Sequence, residues 1–144
     1  MAKNEISIAE SLSRAHQALR NDLWKLGQSV DSARHQDIGP LRAHLVKTQT
    51  HLLDHFHFEE VNGYMDKVRK DMPRYDRVID QLAEEHQKLA QTLNALIGKA
   101  NVADGLDLPL REEVQQWIAA LRRHETREDE LVQDAFNLDI SAED

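Results

Sequence analysis

The sequence contains no cysteine, which excludes disulfides and thiolate metal sites and makes the cytoplasm the expected location. Three prolines and five glycines leave few places for a helix to break, and only 5% of the residues are aromatic. No apolar run approaches the length of a membrane span, and the first residues, Met-Ala-Lys-Asn-Glu-Ile, have no signal-peptide core. There is no basic cluster. With 18 Lys and Arg against 26 Asp and Glu, the formal charge is −8, so nucleic acid and anionic lipid are excluded as expected partners. What the chain does have is Ala, Leu, Glu, Gln and Arg in quantity, and eight histidines in 144 residues. That length and composition predict one all-α domain over residues 1–144.

Four amphipathic helices are legible. A Ser-x-x-Glu capping box, Ser7 and Glu10, predicts the first start, with a stripe of Ala9, Leu12, His16, Leu19, Leu23, Leu26 and Val30. A polar connection over Asp31 to Gly39 precedes Pro40, which suits the first turn of a second helix. Its stripe is Leu41, Leu45, Thr48, Leu52, His55 and Glu59; the helix is expected to run past Glu60 and loosen near Asn62-Gly63. Pro73 marks a third start, with a stripe of Val78, Leu82, His86, Leu89, Leu93 and Leu96 and a stop at Gly98. After a connection from Lys99 to Leu108, Pro109 opens a fourth helix. Its stripe is Leu110, Val114, Trp117, Leu121, His124, Glu128, Leu131 and Ala135, and a short acidic tail follows Asn137.

The chain also repeats itself. Ala15-His16-Gln17-Ala18-Leu19 matches Glu85-His86-Gln87-Lys88-Leu89 at an offset of 70, and Pro40-Leu41-Arg42 matches Pro109-Leu110-Arg111 at 69. At the latter offset His55 falls on His124 and Glu59 on Glu128. The expected architecture is therefore an antiparallel up-down four-helix bundle with an internal two-helix repeat.

With the four stripes turned inward, the core holds His16, His55, His86, His124, Glu59 and Glu128. Four imidazoles and two carboxylates can hold a pair of first-row metal ions, with two nitrogens from each half and each glutamate able to bridge. Added carboxylate shifts an imidazole site towards iron or manganese. The competing expectation is a buried polar network with ordered water. Against it stand two buried glutamates with no Lys or Arg on any stripe. His51, one turn before His55 and beside the core face, is the secondary candidate, as a ligand or as support for one. His35 is expected in a loop, His44 and His57 off the stripe, and Glu60 and Asp129 facing solvent.

At these residues the sequence resembles the hemerythrin family, in its branch with the order His, His-x-x-x-Glu, His, His-x-x-x-Glu. Here that order reads His16, His55 to Glu59, His86, His124 to Glu128, and the resemblance spans about Ser7 to Phe136. It implies a non-haem di-iron centre with an oxo or hydroxo bridge and two bridging carboxylates. It further implies a small diatomic ligand or peroxide as partner: relatives bind or sense dioxygen, react with peroxide or nitric oxide, or serve iron handling and stress. Oxygen carriers of the family add a fifth His from His-x-x-x-His on the third helix. The positions four either side of His86 are Leu82 and Ala90 here. Carriers also place an Asp five residues after the last His, where Asp129 stands in this chain, one beyond Glu128. One imidazole fewer leaves an extra open coordination position, which favours a reactive centre, consuming peroxide or nitric oxide, over a reversible carrier or sensor. Iron storage ranks lower, because nitrogen ligands dominate and the order is His-x-x-x-Glu. The sequence identifies no redox partner.

Overall fold

The computed structural model describes the backbone of residues 2–143 and the side chains of residues 7–136. Five helices account for nearly all of it: α1 Ala2–Ser32, α2 Ile38–Glu60, α3 Tyr64–Asp71, α4 Asp76–Val102 and α5 Leu108–Glu143. Among the described residues there is no strand, and no helix is long and apolar enough to cross a membrane. Helix α1 packs on α2 and α5, and α4 packs on the same two, which closes a four-helix bundle with α3 as a short fifth piece.

The apolar stripes form the core as expected, with one exchange: Val78 is 39% exposed and Ile79 is fully buried. Ile79 continues the alternation of threes and fours through Leu82, His86, Leu89 and Leu93, whereas Val78 requires two steps of four. Several boundaries also move. Helix α1 begins at Ala2, so Ser7 lies inside it rather than capping it; Ala, Lys and Glu upstream favour helix. Helix α4 passes through Gly98 to Val102, because Ile97 and Ala100 are buried on the core face and outweigh one glycine. The backbone of α5 is helical to Glu143 in place of a tail after Asn137, whose side chains lie outside the described residues.

The second helix stops at Glu60 and does not run past it. Asn62 takes the left-handed conformation at φ 60°, which asparagine tolerates, and its N–H donates to Asp66 Oδ2 at 2.7 Å. A Cβ on Gly63 would stand 2.2 Å from the Phe58 carbonyl oxygen and 2.6 Å from that of Glu59, so only glycine fits against the last turn of α2. This break turns the chain back, and α3 buries Tyr64, Met65 and Val68.

The repeated Pro-Leu-Arg serves as a pair of clamps. The Arg42 guanidinium donates to the Ala100 carbonyl near the end of α4. The Arg111 guanidinium donates to the carbonyls of Val30 and Ala33 at the end of α1. Each satisfies orphan carbonyls and sits at the negative end of a helix dipole.

The core is not continuous. One apolar cluster runs from Leu19, Leu52, Leu89 and Leu121 to the Ile38 and Leu106 end. A second, around Leu12, Tyr64, Leu82 and Leu131, lies at the other end. On α1, α4 and α5 the candidate ligands stand between the two; on α2, which ends at Glu60, they stand at the end of the first cluster, and α3 supplies part of the second.

Candidate metal centre

All six stripe residues are buried: His16, Glu59 and Glu128 fully, His55, His86 and His124 nearly so. Glu59 joins the two halves of the repeat. Its Oε2 lies 2.9 Å from His16 Nε2 and 3.1 Å from His55 Nε2, and its Oε1 lies 3.0 Å from His86 Nε2. Glu128 does the same: Oε1 lies 3.3 Å from His16 Nε2 and 3.2 Å from His124 Nε2, while Oε2 lies 3.3 Å from His86 Nε2. The ligand-type atoms form two overlapping groups: His16, His55, Glu59 and Glu128, and Glu59, His86, His124 and Glu128. Within each, the atoms lie within 4.8 Å of one another, and both carboxylates are shared.

Burial opposes protonation of these imidazoles, yet the facing carboxylates win. His16 is pushed up to about 12 by Asp129, Glu128 and Glu59, and His86 to about 10 by Glu128 and Glu59. His124 rises too, through Glu128 and Glu85. Against the same burial, the histidines hold Glu59 below its ordinary value and Glu128 well below. Protons thus compensate the two buried carboxylates when no cation does. The compensation is incomplete. Nε2 of His55 and of His124, Oε1 of Glu59 and Oε1 of Glu128 are buried without a hydrogen-bond partner, although each is within about 3.3 Å of an opposite group. Only His16 Nε2 with Glu59 Oε2 and His86 Nε2 with Glu128 Oε2 align as hydrogen bonds; the other four contacts have the spacing of ligands around a shared centre. Orphaned imidazole nitrogens and carboxylate oxygens aimed at one point fit a first-row cation.

A second ring of carboxylates sets the histidine orientation. Asp129 Oδ1 accepts from His16 Nδ1 at 2.7 Å, Glu60 Oε2 from His86 Nδ1 at 2.6 Å and Glu85 Oε1 from His124 Nδ1 at 2.7 Å. Each holds the Nδ1 proton and leaves Nε2 facing inward. The exposed or half-exposed positions of Glu60 and Asp129 agree with the sequence, but their reach back to an imidazole does not follow from periodicity. Tyr64, delivered by the α2–α3 turn, donates its hydroxyl to Glu128 Oε2 at 2.5 Å. The Phe56 ring stacks on His86, centroids 3.9 Å apart and planes at 11°.

His51 does not join either group. Its Nδ1 pairs with Asp22 on α1, at the half-exposed edge of the α1–α2 seam. One turn before His55 the helix has already rotated that side chain off the core face. Glu125 was not signalled. It is 1% exposed, both oxygens lack a partner, and burial pushes its carboxyl up to about 7. Two grooves approach the centre from outside. One of about 600 Å³ between α4 and α5 reaches Glu85 and His124, and one of about 440 Å³ reaches Glu125 beside Arg20 and Arg122.

A four-helix bundle with imidazole and carboxylate gathered at mid-core defines a metal-binding class of protein. The chain matches the model of the hemerythrin HHE cation-binding domain over residues 7–136, and it belongs to that family. No curated protein and no solved structure matches it.

Proposed function

We propose that the chain holds two iron ions and reacts there with dioxygen, hydrogen peroxide or nitric oxide. The observation that supports this most is the pair of overlapping ligand groups that share Glu59 and Glu128. Two groups of one ion each, joined by two carboxylates, match a di-metal site better than a single one. His16 and His55 would serve one ion, His86 and His124 the other, with Glu59 and Glu128 across both.

Bound iron would supply one-electron chemistry and open positions for a small molecule. The chain's own residues do the rest. Asp129, Glu60 and Glu85 fix three rings in the tautomer that presents Nε2. Tyr64 anchors Glu128 by its hydroxyl and holds a donor proton at the edge of the centre. The apolar clusters on either side keep bulk water out. With Leu82 and Ala90 one turn from His86, no fifth imidazole joins the two groups among the described residues. Four nitrogens and two shared carboxylates would leave each ion short of six protein ligands. That favours reaction over reversible carriage.

The test is anaerobic loading with ferrous iron, elemental analysis, then exposure to each small molecule in turn. Two irons per chain, near-ultraviolet ferric bands and rapid oxidation are expected. One iron or fewer per folded chain under iron-replete conditions refutes the di-iron site. An oxygen adduct that lasts many minutes at room temperature moves the function to a carrier or sensor.

A further inference from the structure

The internal repeat provides a control that most metal sites lack: the same scaffold appears twice, with different neighbours. His16 and His86 are equivalent, and each gives Nδ1 to a carboxylate from the equivalent position, Asp129 for one and Glu60 for the other. The second pair departs from this symmetry. His124 gives Nδ1 to Glu85, the residue just before His86. The residue just before His16 is Ala15, which has no polar side-chain atom. Among the described residues, none accepts a hydrogen bond from His55 Nδ1. The ring pairs themselves remain comparable, His16 and His55 with centroids 5.2 Å apart, His86 and His124 with 4.7 Å.

The wall differs as well. Phe56 stacks on His86 and meets His124 edge-on at 6.0 Å. The position equivalent to Phe56 is Glu125, a buried carboxylate with both oxygens unpartnered, at the inner end of a groove shared with Arg20. One position therefore has two braced rings, one of them under a stacked Phe56, while His55 meets Phe56 and Phe58 only at 6.2 and 6.4 Å. The other has one braced ring, one unbraced ring and a carboxylate leading outward.

We propose that the two metal positions differ in how fast they release their ion, His16–His55 releasing first, with Glu85 as the positioning residue that retains the ion at His86–His124. This rests on the two-iron function above. An unbraced imidazole samples both tautomers and a range of ring angles, so it spends less time as a ligand; losing such a brace costs about 10–100-fold in metal affinity. The Glu125 carboxylate offers a departing ion an alternative oxygen on the way to the groove. Phe56 offers none. At the other position the groove between α4 and α5 meets Glu85 already engaged by both His124 and Arg127.

The experiment uses the full chain loaded anaerobically with ferrous iron and mixed with excess chromogenic ferrous chelator. Two phases of equal amplitude are expected, with rates separated by at least about 10-fold. Glu85→Gln should speed the slow phase by about 10–100-fold and leave the fast phase unchanged. Ala15→Glu, which supplies the missing acceptor at a half-buried helical position, should slow the fast phase and spare the slow one. It decides the matter if Glu85→Gln fails to fold. Two irons released in a single phase, or both phases moved together by Glu85→Gln, would overturn the inequivalence while leaving the di-iron function standing. Loading of only one iron would overturn both.

Discussion

On α1, Leu12, His16 and Leu19 follow one another along a single stripe, and all three are buried. The leucines gain from leaving water; the histidine gains only through the carboxylates it meets. The same contrast recurs on every long helix, so the bundle is an apolar core cut by a polar belt. The core tolerates any well-shaped apolar filling. The belt tolerates little, because each imidazole and carboxylate needs its particular opposite or a cation. The apolar share of the stability resides in one region and the candidate metal ligands in the other, although both occupy equivalent places in the pattern.

That separation is tested most strongly by truncating each region. Leu93 is fully buried in the larger cluster, so Leu93→Ala should lower unfolding stability by about 2–5 kcal/mol and leave two irons bound. Glu59→Ala and Glu128→Ala should do the reverse. Each removes a carboxylate that faces three histidines, so each should lose at least one iron per chain. Their metal-free forms should melt closer to the parent than Leu93→Ala does, since the freed imidazoles can stay neutral and a small, partly wet cavity remains. Full iron content in Glu59→Ala or Glu128→Ala would show that the truncated glutamate is no bridge. The belt would then have to be redrawn around Asp129, Glu60 or Glu125.

The next effect is one of pH, and it sharpens the comparison because the apolar core does not titrate. In the metal-free chain, carboxylates outweigh burial and raise His86 from 6.5 to about 10. A raised value stabilises the fold below about pH 6.5, and that contribution is lost as pH climbs through about 10. His16, pushed up to about 12, has the same sign. Glu125 does too, since burial raises it from 4.5 to about 7 and its contribution disappears across that range. Glu59 and Glu128 run the other way: both are held below 4.5, so their contribution is lost only as pH falls beneath it. The metal-free protein should therefore melt highest on the acid side of neutrality and weaken from about pH 6.5 to about 10. Metal must displace the same protons, so iron affinity should rise over that interval. Thermal melts and calorimetric titrations across it check both signs. Metal-free stability that is flat or rising there would mean that the imidazoles sit neutral in the belt.

How much of this was legible in the sequence follows from what periodicity can encode. His16, His55, His86 and His124 with Glu59 and Glu128 stand on threes and fours with the leucines, so the stripe that revealed the core also revealed the buried imidazole and carboxylate groups. Glu125 and Phe56 are each four residues beyond a buried leucine, Leu121 and Leu52, yet lie beside the stripe. The face is wider than one stripe because each long helix packs against two neighbours. Glu85, Glu60 and Asp129 escaped for another reason. Spacing gives the direction of a side chain but not its reach, and a carboxylate on the rim can still touch an inward histidine. Helix α3 was obscured by its length of 8 residues, too short for a repeating pattern. Only the Asn62-Gly63 break announced it.

The smallest effect tests the boundary of the belt. His51 is one turn from His55, and by sequence alone it could have restored a further nitrogen ligand. In the structure it is engaged elsewhere, with Asp22, and both side chains are about a third exposed. A pair in that setting contributes about 0–1 kcal/mol, because water screens it and two side chains must be ordered to form it. His51→Ala should therefore shift the melting temperature by no more than a few degrees and leave iron content and the ferric spectrum as they are. The same variant separates the proposed di-iron site from one with a further ligand. If a swing of the His51 ring supplied a fifth nitrogen in the loaded protein, removing it would bleach or displace the ferric bands and loosen one ion. An unchanged spectrum leaves four nitrogens, and with them the open positions on which the proposed reactivity depends.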